Sequence, residues 1–96
     1  MSENDSKTNF WSLMGFIKVS PARLNCIMCI GTEYKMPTEI AHETGMRITQ
    51  ISNALHDLKE RKIVVCLNED NIKGRLYQNT QLGLKLLKEL SKSKKW

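Results

Sequence analysis

The chain has 96 residues, of which 41% are hydrophobic and 26% are charged, and it contains five glycines and two prolines. This length allows one domain with one hydrophobic core, and the composition is that of a folded globular protein. It excludes a disordered chain, a collagen-like repeat and any fold that needs several hundred residues. The longest apolar runs are five residues, which is far short of the about 20 needed to span a bilayer.

Basic residues exceed acidic residues by 15 to 10, and the excess is unevenly distributed. Residues 1–48 carry five charges of each sign, whereas residues 49–96 carry ten basic and five acidic residues. This asymmetry favours a polyanionic partner, with an ordinary solvated basic surface as the alternative. The N-terminus lacks an apolar signal sequence, so we expect a cytoplasmic protein with reduced cysteines and no membrane partner.

Residues 1–8 are polar and predict a disordered N-terminal tail. The next ten residues predict a first helix, because four apolar residues recur at helical spacing: Phe10, Leu13, Met14 and Ile17. Ser20 and Pro21 are typical of a helix start, and Gly31 is typical of a helix end. The helix between them is apolar on nearly every side, which predicts that it is central and buried.

Two further helices are predicted in close succession. Pro37 opens the first and Gly45 ends it, and residues 48–61 form the second. The apolar residues of the second helix predict one inward face: Ile48, Ile51, Leu55 and Leu58. Two helices joined by a tight turn with glycine indicate a helix-turn-helix.

A hairpin and a last helix complete the pattern. Residues 63–67 and 75–79 predict two strands around a polar turn. Thr80 is expected to cap a leucine- and lysine-rich helix, followed by a frayed C-terminus at residues 93–96. The predicted fold class is therefore mainly α (α+β), a winged helix-turn-helix over residues 9–92 with a helical core and a two-stranded hairpin wing.

The motifs that carry a family resemblance are PTEIAHETG, ITQISNALHDLKERKIV, and GRLYQNT followed by LG. Over residues 20–90 the chain resembles winged helix-turn-helix transcriptional regulators of archaeal type, broadly similar to MarR and ArsR proteins. The resemblance implies DNA binding and dimerisation through terminal helices. The chain departs from the usual pattern with Arg47 in place of a Ser or Thr cap, Asn53 in place of an Arg, and Asn79 in place of an apolar residue.

The outward arc of the second helix of the motif, the predicted recognition helix, is expected to read DNA. Its polar residues include amides that can contact adenine, a threonine suited to a thymine methyl or a phosphate, and a histidine that either reaches phosphate or is an ordinary surface residue. Cations in the wing are suited to the backbone or the minor groove. Two carboxylates of the arc, those of Asp57 and Glu60, are expected at the end away from DNA. The predicted DNA-binding residues are Arg47, Thr49, Gln50, Asn53, His56, Lys73 and Arg75.

The other reactive side chains do not form a recognised catalytic pattern. Cys26 and Cys29 form a C-x-x-C within the most apolar helix, and Cys66 lies in a predicted strand. We interpret these cysteines as core residues, with zinc binding (helped by His42 or His56) or redox sensing as alternatives. No catalytic triad or phosphate loop is indicated, so we predict no enzyme activity, no metal and no cofactor.

The first and last helices carry more apolar residues than one small core needs: Phe10, Trp11, Leu13, Met14, Phe16, Leu86, Leu87 and Leu90. This surplus predicts a homodimer through these helices, and a monomer that buries them itself is the alternative. The predicted function is transcriptional regulation by binding double-stranded DNA. The alternatives are a winged-helix protein-interaction module in a larger assembly and a thiol- or metal-responsive regulator.

Overall fold

The computed structural model describes the backbone of residues 3–92 and the side chains of residues 9–92. The predicted frayed C-terminus at residues 93–96 lies outside the described residues. The described part is mainly helical, as predicted. Its elements in chain order are α1 Glu3–Lys18, α2 Pro21–Ile30, β1 Tyr34–Lys35, α3 Pro37–Thr44, α4 Ile48–Glu60, β2 Val64–Cys66, β3 Tyr77–Asn79 and α5 Gln81–Lys92.

Helix α1 begins earlier than the sequence pattern predicts. Its backbone is helical from Glu3 rather than from Asn9, where the apolar spacing starts. The disorder of residues 1–8 stays a prediction. Once a turn has formed, each added residue contributes one backbone hydrogen bond, so a helix can extend beyond its apolar face. No single helix within residues 3–92 is long and apolar enough to cross a membrane; α1 from Asn9 and α2 meet the length and composition only as a pair bent by 105°.

Helix α2 is central, as predicted, and its boundaries follow from local chemistry. The Ser20 hydroxyl oxygen accepts a hydrogen bond from the Arg23 amide at 3.3 Å, and Pro21 occupies the first turn. Gly31 ends the helix with a φ of 58°, and its N–H donates to the Ile27 carbonyl. Helices α1, α3, α4 and α5 all pack against α2. The buried apolar residues form one core: Met14, Ile17, Cys26, Ile27, Ile30, Ile40, Ile51, Ala54, Leu55, Leu58, Ile63, Val64, Cys66, Tyr77, Leu86 and Leu90.

The sheet has three strands in the order β1-β3-β2, where the sequence pattern predicts two. Strands β2 and β3 form the expected antiparallel hairpin, with Cys66 opposite Tyr77. Strand β1 pairs with the other edge of β3, with Tyr34 opposite Gln78. A two-residue strand is too short to show periodicity in the sequence, and its pairing is set by the position of β3.

Asn79 replaces an apolar residue without leaving its donors unpaired. Its side chain is buried, and its Nδ2 donates to the Gly31 carbonyl at 2.9 Å and to the Ile27 carbonyl at 3.3 Å. Both carbonyls lie at the C-terminal end of α2, and the Ile27 carbonyl accepts from the Gly31 amide as well. Asn79 therefore joins β3 to the end of the central helix.

Candidate nucleic-acid interface

Helices α3 and α4 form the predicted helix-turn-helix, and each is capped from its own first turn. Gly45 at the turn has a φ of 74°, a left-handed conformation that glycine adopts without steric cost. The Glu39 carboxylate accepts from the Met36 amide at 2.8 Å, and the Gln50 side-chain oxygen accepts from the Arg47 amide at 3.2 Å. The third helical residue thus supplies the capping that neither Met36 nor Arg47 provides as a Ser or Thr would. The Gln50 oxygen therefore caps α4 in this structure, and contact of Gln50 with adenine stays a prediction.

The inward face of α4 is shifted from the predicted one at its first residue. Ile51, Leu55 and Leu58 are buried as expected, and Ala54 joins them. Ile48, predicted to face inward, is 43% exposed. It is the first residue of α4 and lies outside the buried core.

Most of the predicted polar contacts lie together on the N-terminal half of α4. The side chains of Arg47, Thr49, Gln50, Asn53 and His56 are all exposed. Asp57, which the sequence places on the same arc, is partly exposed and accepts from the Arg23 guanidinium at 3.3 Å. Glu60 is exposed, and its carboxylate lies 3.6 Å from the His56 imidazole, one helical turn away.

The C-terminal half of α4 is fixed against α1 and α2 by two arginines around one ring. The guanidinium carbons of Arg23 and Arg61 lie 3.9 and 4.0 Å from the centre of the Phe16 ring. A cation over an aromatic face is attracted by the ring quadrupole, and the Arg23 side chain also donates to the Phe16 carbonyl and to Asp57. The Asp57 charge is thereby paired at the end of α4 far from Arg47.

The wing, residues 64–79, is held by side chains within its own loop. The Asn68 side chain accepts from the Leu76 amide and donates to the Gly74 carbonyl. Arg75, predicted to contact DNA, donates to the Asn71 carbonyl at 2.7 Å and to the Glu69 carbonyl at 3.4 Å. Its guanidinium therefore stabilises the loop through these hydrogen bonds. The Lys73 side chain is exposed on the wing, as predicted.

Not every acidic residue in the wing repels a polyanion, because Glu69 is paired with a cation. Glu69 forms an ion pair with Lys59 of α4, and this ammonium group lowers the pKa of the carboxyl. The pair ties the wing loop to the C-terminal turn of α4 and offsets one negative charge. Asp70 is exposed next to it.

An open groove of about 450 Å³ separates α4 from the wing. Its α4 wall is the stripe Ile48, Ser52 and His56, which are four residues apart and share one side of the helix. Its other walls are the first turn of α3 and the wing loop with Ile72. Ser52 and Ile72, which line this groove, are not among the DNA-binding residues predicted from the sequence. Two signals in the sequence point to them. Ser52 lies four residues after Ile48, on the same side of α4, and Ile72 is an isoleucine in an otherwise polar turn.

None of the three cysteines lines the groove, and the thiols of Cys26 and Cys29 are protonated at neutral pH. Burial raises the pKa of Cys26 to about 12, and burial with a hydrogen bond to Glu43 raises that of Cys29 to about 11. Cys66 is buried in β2. Among the described residues no three His, Cys, Asp or Glu side chains are grouped so that they could hold a metal ion.

The predicted dimer surface of α1 and α5 divides into buried and exposed parts. Met14, Leu86 and Leu90 are core residues, so they are not surplus as the sequence suggests. Trp11 is 56% exposed and meets Phe10 edge-on at 5.4 Å between ring centres. An open cavity of about 620 Å³ between the two helices is lined by Phe10, Leu13 and Leu82, with Arg61 and Lys85 at its edge.

The order of helices, the helix-turn-helix and the wing paired against β1 define a winged-helix fold. No family model matches the chain, and no curated protein matches it. Among solved structures, a double mutant of ZitR from Lactococcus lactis shares the fold with a TM-score of 0.66 and 15% identity, over 96% of this chain and 75% of that one. The apo form of the same mutant matches with a TM-score of 0.66 and 16% identity, over 98% of this chain and 74% of that one. At 15–16% sequence identity, these matches show a shared fold and nothing about function.

Proposed function

We propose that the protein is a transcriptional regulator that binds double-stranded DNA through α4 and the wing and has no enzyme activity. The observation that carries the proposal is the arrangement of side chains on α4. In its C-terminal half the Asp57 carboxylate is paired with Arg23, whereas Arg47, Thr49 and Asn53 are exposed at its N-terminal half. In helix-turn-helix proteins this half of the second helix contacts base edges. The winged-helix fold, which the chain shares with ZitR, supports the proposal.

The residues of this face take different roles in the proposed complex. Asn53 contacts a base edge, Thr49 a thymine methyl or phosphate, and Arg47 guanine or phosphate. Gln50 retains its amide nitrogen as a donor while its oxygen caps α4. Lys73 contacts the DNA backbone, His56 contacts a phosphate, and Arg75 orders the wing loop.

The test is selection of bound duplexes from a random DNA library, followed by affinity measurements with variants. We expect one preferred sequence, and we expect Asn53→Ala to cost about 1–3 kcal/mol on that sequence and little on random DNA. Asp70→Ala, which changes an exposed residue of the wing, is the control and should keep the base preference. A selection that recovers no sequence, with no binding at low salt, would refute the proposal.

We further propose that two chains associate through α1 and α5. The exposed Trp11, its contact with Phe10 and the apolar cavity beside Leu13 and Leu82 support this interface. A symmetric dimer presents two α4 helices to two half-sites, which raises affinity beyond that of one domain. In this proposal the cytoplasmic location and the archaeal type remain predictions from the sequence.

A second candidate function is a protein-interaction module. The outer face of the sheet favours it, because Tyr34 and Val65 lie on either side of Gln78 across the three strands and are both exposed. A partner protein could cover this apolar row. The thiol-responsive alternative is disfavoured, since the raised pKa values of Cys26 and Cys29 keep them as thiols rather than reactive thiolates.

A further inference from the structure

Two exposed isoleucines face the groove between α4 and the wing from different walls. Ile48 on α4 is 43% exposed and Ile72 in the wing loop is 89% exposed, and both line the groove. The loop that carries Ile72 is held by the Asn68 and Arg75 side chains, so the position of Ile72 is set by hydrogen bonds within the loop. Apolar groups left facing water on two walls of one groove are suited to a ligand that enters between them.

The polar lining of the groove indicates the charge of that ligand. Thr38 and Ser52 bring hydroxyl groups, and His56 and Arg75 bring nitrogen donors. Among the described residues no carboxylate lines the groove itself, and two that contact its lining residues are engaged: Glu39 accepts from the Met36 amide, and Glu60 lies 3.6 Å from the His56 imidazole. The groove thus offers hydrogen-bond donors and a cation, with apolar side chains between them. This lining matches a sugar-phosphate strand, because phosphates accept hydrogen bonds and sugars are apolar on their carbon faces.

We propose that one strand of bound DNA passes through this groove and that Ile48 and Ile72 hold one deoxyribose between them, so that the protein discriminates deoxyribose from ribose at that nucleotide. The inference rests on the proposed function. A recognition helix lies in the major groove and a wing reaches the minor groove, so the strand that separates the two grooves passes between α4 and the wing. The 2′ carbon of DNA bears only hydrogen, whereas in RNA it carries a hydroxyl that loses its water contacts against an isoleucine.

The test uses the duplex obtained by selection, with one nucleotide at a time replaced by its ribonucleotide. For the unmodified protein we expect one position per bound chain at which the ribonucleotide weakens binding roughly tenfold, as expected for a buried hydroxyl without a partner. For Ile48→Ala and Ile72→Ala we expect weaker binding to the all-DNA duplex and a much smaller loss at that same position. Val19→Ala, a change of an exposed residue at the corner between α1 and α2, is the matched control and should retain the full loss.

The outcomes separate this inference from the proposed function. If the protein binds the all-DNA duplex but no ribonucleotide position discriminates, or if both isoleucine variants keep the full loss, the sugar contact is refuted and DNA binding stands. If the isoleucine variants bind the all-DNA duplex as tightly as the unmodified protein, the strand does not pass between Ile48 and Ile72. The inference is then refuted, and a protein segment becomes the candidate ligand of the groove. If the protein binds no duplex, the proposed function and the inference fail together.

Discussion

Two glycines show how single residues are constrained differently in this fold. A Cβ added at Gly83 in α5 would lie 2.3 Å from the Ile63 carbonyl oxygen, a backbone atom that cannot move aside alone. A Cβ added at Gly15 in α1 would meet no atom within 4 Å. The close approach of α5 to the start of β2 therefore requires a glycine, whereas α1 does not require one.

We predict opposite effects of the same substitution at these two positions. Gly83→Ala should lower the free energy of unfolding by about 1–3 kcal/mol or more, because the methyl group overpacks the α5–β2 contact. Gly15→Ala should raise it by about 0.5–1 kcal/mol, because alanine loses less backbone entropy in a helix. Urea unfolding of both variants measures the difference, and equal effects would contradict the packing described for α5.

The raised pKa of the Cys29 thiol predicts how its reactivity depends on pH. Burial and the Glu43 hydrogen bond raise the pKa of Cys29 to about 11, from an ordinary value of 9.0. At pH 8 its thiolate fraction is then lower by about 100-fold than in the unfolded chain, because each pKa unit above the pH is a factor of ten. Iodoacetamide should modify Cys29 of the folded protein correspondingly slowly, with a rate that rises up to about pH 11. Modification at the unfolded rate would instead favour the thiol-responsive alternative.

At the scale of elements, much of the fold is predictable because its signals are local. Ser20 with Pro21, and Gly45 at the turn, mark helix boundaries through their own backbone chemistry, and the period of α4 identifies its buried face. Strand β1 has no local signal, since its pairing depends on where β3 lies. Ile48 belongs to the apolar period of α4, yet the core ends before it, and only the packing of neighbouring elements decides where a core ends.

The sequence predicts where the candidate site lies but not the role of each of its side chains. The sequence gives Gln50 and Asn53 the same chemistry, and only the structure shows that the Gln50 oxygen caps α4. Likewise, Arg75 and Lys73 are two cations of the wing loop, but only the structure shows that Arg75 donates hydrogen bonds to the Asn71 and Glu69 carbonyls of that loop. Side chains that can serve either the fold or a ligand cannot be assigned without their neighbours' positions.

The division of roles in α4 can be tested by stability. We predict that Gln50→Ala lowers the free energy of unfolding by about 0.5–1 kcal/mol, because the Arg47 amide loses its capping partner. Asn53→Ala, the matched control on the same helix, should change it by less than about 0.5 kcal/mol, since no partner within the described chain is lost. Thermal or urea unfolding distinguishes the two, and equal losses would show that the cap does not stabilise α4.

The division of roles in the wing can be tested by hydrogen exchange. Arg75→Ala should raise the exchange rate of amides in residues 67–76, because the loop loses its bonds to the Asn71 and Glu69 carbonyls. Lys73→Ala should leave these rates unchanged, as its side chain is exposed. Mass spectrometry of exchanged peptides reports both, and an unchanged wing in Arg75→Ala would contradict the assigned role.

At the scale of the whole molecule, separate faces carry the proposed tasks. The groove and the N-terminal half of α4 are lined by residues distinct from those of the α1–α5 cavity, so DNA and a second copy can bind together. The α1–α5 surface keeps Trp11 exposed, whereas the core beneath it is complete without that ring. The free energy gained by covering Trp11 is therefore available to association.

We predict a dimer that depends on Trp11. Sedimentation at micromolar concentration should give about twice the 11.1 kDa of one chain. Trp11→Ser should shift the protein to monomer without lowering its melting temperature by more than a few degrees, because an exposed ring contributes little to the core. Tyr34→Ser, which removes an aromatic residue of equal exposure on the sheet, is the control. A monomer in the unmodified protein would refute the interface.

The most direct test of the central claim, that α4 and the wing bind duplex DNA, is the salt dependence of binding with and without Lys73. Phosphate contacts release counterions, so the logarithm of the association constant should fall linearly with the logarithm of salt concentration. Fluorescence anisotropy across a salt series should show that Lys73→Ala reduces this slope by about one and keeps the preferred sequence, whereas Asn53→Ala keeps the slope and relaxes the sequence preference. Binding with no salt dependence, or an unchanged slope and preference in both variants, would contradict the account.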